Sequence, residues 1–245
     1  MSLLIFTQLD ELLLNSEAAS NKSVIEAIAQ LQSKNIPLIP ISSRTRAETV
    51  DWMEKMGLNS PFIVEAGSGI FIPQSDSRFN TSTCEQLDNY YLNQLGSTYT
   101  EARAALKAVQ EEISKILRGF GDFDEEGIQA LIGTSSIARK AKAREFSEYF
   151  ITPSRLEIEQ LQQVAIEYGF KILPGDNLSL ILGANADPVA AIKWLRQNYG
   201  ATESNFRTVG LKSTSSNHTW LDSVDQTIAI SNLESWIKAI TQLDC

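Results

Sequence analysis

Within its first 73 residues the chain alternates apolar strands with amphipathic helices, and that alternation constrains its fold more than any other feature. LLIFT (3–7) is apolar at every position that a buried strand needs. SNKSVIEAIAQLQSK (20–34) sets Val24, Ile25, Ile28 and Leu31 on one side of a helix. IPLIPI (36–41) is a second apolar run, TRAETVDWMEKM (45–56) a second helix ended by Gly57, and Phe62 to Glu65 a third strand. Strands separated in this way by single helices pair in parallel, with helices covering both faces of the sheet. Gly67 and Gly69 mark a turn into a hairpin that ends at Pro73.

The middle of the chain breaks this rhythm. The pattern predicts a long helix over 98–118, shorter helices over 124–132 and 135–143, and strands at 145–152 and 169–183 around a helix at 154–168. The first rhythm then returns, with a helix at 187–199, strands at 206–209 and 226–230, and a helix at 233–242. The expected architecture is an α/β fold. A Rossmann-like parallel-sheet core is built from residues 1–80 and 184–245, and an α+β cap domain, residues 81–183, is inserted into it.

Charge and composition narrow the function. A formal charge of −9 argues against a general binder of nucleic acid or of an anionic membrane, since both need basic surface. No stretch reaches the ~18 apolar residues of a membrane span. The N-terminus is apolar but lacks a basic segment and meets Asp10 and Glu11 early, so no signal peptide is expected. Cys84 and Cys245 form neither a disulfide framework nor a metal cluster, which suits a reducing cytoplasm. A single histidine, His218, rules out a multi-histidine metal site.

Ligands of such sheets bind at the carboxyl ends of the strands. Three of those ends are polar: Gln8 with Asp10, Ser42 with Ser43 and Arg44, and Gly210. Without further information, Gln8 and Asp10 read as a strand end capped by two polar residues. Ser42, Ser43 and Arg44 read equally as a turn with a helix N-cap and as an anion site at a helix N-terminus. Arg144 reads either as a salt-bridge partner of Glu145 or Glu148 or as a pocket residue.

The stretches IFTQLDELLLN (5–15), SSRTRAE (42–48), EAGSGIFIP (65–73), GFGDFDEEGIQAL (119–131) and AREFSEYF (143–150) together resemble the haloacid dehalogenase superfamily, and within it the mannosyl-3-phosphoglycerate phosphatase family. The resemblance covers most of the chain. It implies a phosphoric-monoester hydrolase fold in which one aspartate attacks phosphorus and ligates magnesium, and a second, two residues on, is the acid/base. A serine or threonine holds the phosphate, a lysine balances charge, and later aspartates complete the metal site.

Carried over position by position, the resemblance implies a depleted site. Gln8 stands at the nucleophile position, and an amide is a poor nucleophile that cannot form an acyl phosphate. Asp10 keeps the acid/base position, and Ser42 keeps the phosphate-holding position beside Ser43 and Arg44. The lysine position falls at about Asp187 and a magnesium-ligand position at Leu211. Cap residues expected to be arginine and histidine are Asn177 and Leu180, whereas Arg144, a candidate for the cap's substrate pocket, is retained. The candidates to replace the missing cation are Lys193 and Lys212, and those to supply a metal ligand are Asp222 and Asp225.

The expectation is a catalytically inactive homologue, a pseudo-phosphatase in the cytoplasm. It would act by binding a small phosphorylated ligand or a protein partner, with no metal and no other cofactor. The alternative is an active phosphatase that hydrolyses a sugar-phosphate or phosphoglycerate-type ester through a rearranged site, for which Mg²⁺ would be required.

Overall fold

The computed structural model describes residues 2–8, 21–133, 138–200, 206–214 and 219–243. Its core is an eight-stranded sheet with the order β11-β10-β1-β2-β3-β4-β6-β5. β1 (Ser2–Gln8) lies between β10 (Phe206–Ser213) and β2 (Leu38–Ile41), parallel to both. β11 (Gln226–Ile230) and β3 (Phe62–Val64) extend the parallel part on either side. β4 (Gly69–Pro73), β6 (Tyr90–Gln94) and β5 (Glu85–Leu87) then turn antiparallel.

Both faces of β1, β2 and β3 are buried, which is why LLIFT is apolar at every position but Thr7. Leu3 and Ile5 pack into a layer formed by α1 (Lys22–Ser33), α2 (Arg46–Lys55) and α8 (Leu233–Gln242), where Val24, Ile28, Trp52 and Trp236 sit. Leu4 and Phe6 pack on the opposite face against Ala191, Ile192 and Leu195 of α7 (Pro188–Asn198) and against Trp220.

The cap is a three-stranded antiparallel sheet of β7 (Ser147–Ile151), β9 (Leu178–Gly183) and β8 (Phe170–Leu173). One face carries α3 (Tyr99–Glu112) and α6 (Arg155–Glu167) over Phe150, Ile172 and Ile181. The other turns Leu180, Leu182 and Tyr149 toward Ala66 and Ala186 of the core. α4 (Glu125–Ile132) and α5 (Ala138–Lys142) pack on Phe120 beside it.

Three expectations shift. The boundary at 80/81 falls ahead of β5 and β6, which hydrogen-bond to the core sheet, so the cap begins only near Thr98, the N-cap of α3. That hairpin escapes a sequence reading because only Leu92 of its eight strand residues is buried, which leaves little alternation to detect. The strand expected over 169–183 is two strands joined at 174–177. The helix expected over 98–118 ends at Glu112, and Ser114 adopts a left-handed φ of 54° just beyond it.

Candidate active site

Gln8 ends β1 and is in register with Ile41, the last residue of β2. Its Oε1 atom is buried and has no hydrogen-bond partner among the described residues. Asp10 lies outside the described residues.

The turn after β2 is held by its own polar groups. Ser42 N–H donates to the Ile63 carbonyl (3.0 Å), and the Ser42 carbonyl accepts from Ala66 N–H (3.0 Å). Ser42 Oγ accepts from Arg44 N–H at 3.0 Å. Thr45 then caps α2 in a capping box, with Glu48 Oε2 accepting from Thr45 N–H at 3.0 Å. The second oxygen of Glu48 accepts from Arg44 Nη1 at 3.0 Å. The mouth of this helix therefore already holds a carboxylate, and Ser42 takes part in the turn that the sequence suggested as the simpler reading.

β3 runs into two consecutive left-handed residues that are not glycine, Glu65 (φ 48°) and Ala66 (φ 57°). Such backbone is sparsely populated and persists only where surrounding contacts over-determine it. Here they do. The buried Glu65 carboxylate accepts from Glu145 N–H (2.8 Å), Phe146 N–H (3.2 Å) and the Ser147 hydroxyl, all in the segment that leads into β7 of the cap. Arg144 Nη2 lies 3.3 Å from it.

Arg144 thus does not make the salt bridge that one sequence alternative expected. Its side chain is 1% accessible. Beyond Glu65, it donates to the Ser43 carbonyl (3.0 Å) and to Ser147 Oγ (2.7 Å), and its guanidinium stacks 4.4 Å from the centre of the Tyr149 ring. The partners suggested by sequence bind elsewhere. Glu145 pairs with Arg46, and Glu148 with Arg103. Glu65 is the residue that sequence reasoning passed over, because only the tertiary fold brings it to Arg144.

Core and cap enclose a cleft of about 380 Å³, lined among others by Ser43, Arg44, Glu48, Arg144, Tyr149 and Asn177. Of the proposed site residues, Ser43, Arg44 and Arg144 are brought together here, along with Asn177.

The remaining positions have other occupations. Asp187 is the N-cap of α7 and accepts from Val189 N–H at 3.0 Å. Lys171, from the cap strand β8, donates to the Ala186 carbonyl beside it, and burial lowers its pKa against the opposing pull of Asp187. Leu211 is 2% exposed and packs in the core. Asp225 accepts from Thr208 N–H and Oγ (both 2.8 Å) and pairs with Arg196, and Asp222 is exposed. Burial pushes the Asp225 carboxyl up, but the Thr208 hydrogen bonds and the Arg196 charge outweigh it and hold the pKa below the usual range. Lys193 is exposed on α7, whereas Lys212 is half-buried at the end of β10.

Magnesium takes oxygen donors, chiefly carboxylates. The strand ends offer an amide at Gln8, an alkyl chain at Leu211 and an ammonium at Lys212. These described side chains do not fit a magnesium site. Among the described residues no group of three or more His, Cys, Asp and Glu side chains comes together, and no helix is long and apolar enough to cross a membrane.

Comparison with known proteins agrees with this architecture. A family model described as haloacid dehalogenase-like hydrolase matches residues 5–167. A glucosyl-3-phosphoglycerate/mannosyl-3-phosphoglycerate phosphatase of Persephonella marina is 32% identical over 243 residues, covering 97% of this chain and 88% of its own. A mannosyl-3-phosphoglycerate phosphatase of Pyrococcus furiosus is 31% identical over 196 residues, covering 80% of this chain and 77% of its own. Among solved structures, a haloacid dehalogenase-like hydrolase from Bacteroides thetaiotaomicron has a TM-score of 0.67 at 11% identity and covers 100% of both chains. Another, from B. subtilis, has a TM-score of 0.65 at 12% identity, covering 98% of this chain and 99% of that one. At such identities these two structures speak for the fold alone. With its alternating core, its inserted cap and these relatives, the chain belongs to the haloacid dehalogenase superfamily and, within it, to the mannosyl-3-phosphoglycerate phosphatase family.

Proposed function

We propose that this protein holds a phosphorylated sugar or glycerate derivative in the cleft between core and cap without hydrolysing it. The observation that carries this reading is Gln8 at the end of β1, with its amide oxygen buried and without a partner among the described residues. An amide cannot become an aspartyl phosphate. Loss of a nucleophile costs several orders of magnitude in rate, judging from knockouts in other enzymes. Leu211 and Asp187 support the same reading, since one is packed in the core and the other caps α7. The ligand class follows from the names of the relatives, which act on glucosyl- and mannosyl-3-phosphoglycerate. The cleft has the Ser43 and Arg44 edge for a phosphate, and Asn177 and Tyr149 for hydroxyl groups. A non-catalytic binder of this kind would act through the bound ligand or through a partner protein that reads it.

A second reading is active hydrolysis through a rearranged site. It is favoured by identity to named phosphatases across 97% of the chain. In it, Asp10 would activate water directly, with no covalent intermediate. Phosphate release from mannosyl-3-phosphoglycerate, assayed with and without magnesium, separates the two. The first reading expects no release from the wild-type protein above that of a Gln8→Ala variant. Release that disappears in Asp10→Asn would overturn it in favour of the second.

A further inference from the structure

We propose that anion binding at the strand ends of this protein is independent of magnesium, with Lys212 supplying the positive charge. The inference rests on the ligand-holding reading above. Thr7 of β1 is in register with Leu211 of β10. Both face the layer of α1 and α8, where Trp236 Nε1 donates to Thr7 Oγ1 at 3.0 Å and Leu211 packs among apolar side chains. Side chains alternate along a strand, and neighbouring strands lie ~4.8 Å apart. The next residues, Gln8 and Lys212, therefore stand side by side on the opposite face, at the carboxyl ends of adjacent parallel strands. Gln8 is also in register with Ile41, the residue before Ser42. Lys212, Gln8 and the Ser42 turn thus form a row across β10, β1 and β2.

The chemistry of that row suits an anion and not a divalent cation. A lysine at this point repels Mg²⁺ and attracts a phosphate oxygen through a charge-assisted hydrogen bond. Lys212 is half-buried, and none of the described carboxylates pairs with it. The uncharged Gln8 adds no negative charge for a metal to offset, and its oxygen, without a partner among the described residues, is an acceptor for a ligand hydroxyl. Lys193, the other lysine of this region, lies exposed on α7 and does not join the row.

The test is isothermal calorimetry of inorganic phosphate binding to the full chain, in EDTA and in magnesium chloride. Wild type, Lys212→Met and Lys212→Arg are compared, with circular dichroism to verify folding. The expected result is equal affinity with and without magnesium to within about twofold. Lys212→Met should weaken binding roughly tenfold or more, the scale of one charge-assisted hydrogen bond, and Lys212→Arg should restore most of it. Binding that strengthens roughly tenfold in magnesium, or that ignores Lys212→Met, would overturn this inference while leaving the ligand-holding reading intact. No phosphate binding under either condition would overturn both.

Discussion

Glu65 and Arg144 form a buried ion pair across the boundary between core and cap, 3.3 Å apart, with side chains 0% and 1% accessible. The carboxylate is not sustained by this pair alone, since two backbone N–H groups and the Ser147 hydroxyl also reach it. Such a pair joins the segment entering β7 of the cap to the turn leaving β3, and its arginine also lines the cleft.

Breaking this pair from one side leaves the other charge buried without its partner. Glu65→Gln should therefore lower unfolding free energy by about 3–5 kcal/mol, and Arg144→Met by a similar amount. Urea denaturation of the two single variants and the double variant checks this. The double variant should cost less than the sum of the singles, and strict additivity would show that the two residues do not interact.

Glu148 gives a pH prediction. Burial raises its carboxyl pKa above the ordinary range, against the opposing effects of Gly121 N–H, Arg103 and Tyr99. The folded state then holds a proton that the unfolded chain releases near pH ~4.3. This contribution to stability is present below that pH and is lost as the pH rises through the raised value. Glu148→Gln should flatten that part of the stability profile, which thermal melts from pH 4 to 8 would reveal.

Gly67 should tolerate no side chain. It has φ +90°, and a Cβ there would lie 2.3 Å from the Asp187 carbonyl carbon and from Pro188 N. Gly67→Ala should cost at least about 2 kcal/mol, from left-handed strain together with overpacking. A urea midpoint equal to that of wild type would contradict this close approach.

Restoring one carboxylate should not restore chemistry. Gln8→Asp alone leaves Leu211 in the core and Asp187 capping α7. Mass spectrometry after incubation with magnesium and a phosphate ester should find no phosphoaspartate on this variant. A phosphorylated Asp at position 8 would mean that other residues rebuild the metal site.

Much of this was legible in the chain. The apolar runs of β1, β2 and β3 are buried on both faces, so composition alone marked them, and Gln8 is visible as an amide at a strand end. SSRT announced its capping turn, because Thr45 and Glu48 are three residues apart and local geometry suffices. Tertiary structure decided what depended on contacts distant in sequence. The Glu65–Arg144 pair joins residues that no local pattern links. The β5–β6 hairpin joins the core sheet with almost no hydrophobic signature of its own. Strand register puts Lys212 beside Gln8, whereas Lys193 lies exposed on a helix. Burial patterns are written residue by residue and can be read that way. A long-range ion pair or a neighbour across a sheet exists only once the chain has closed on itself.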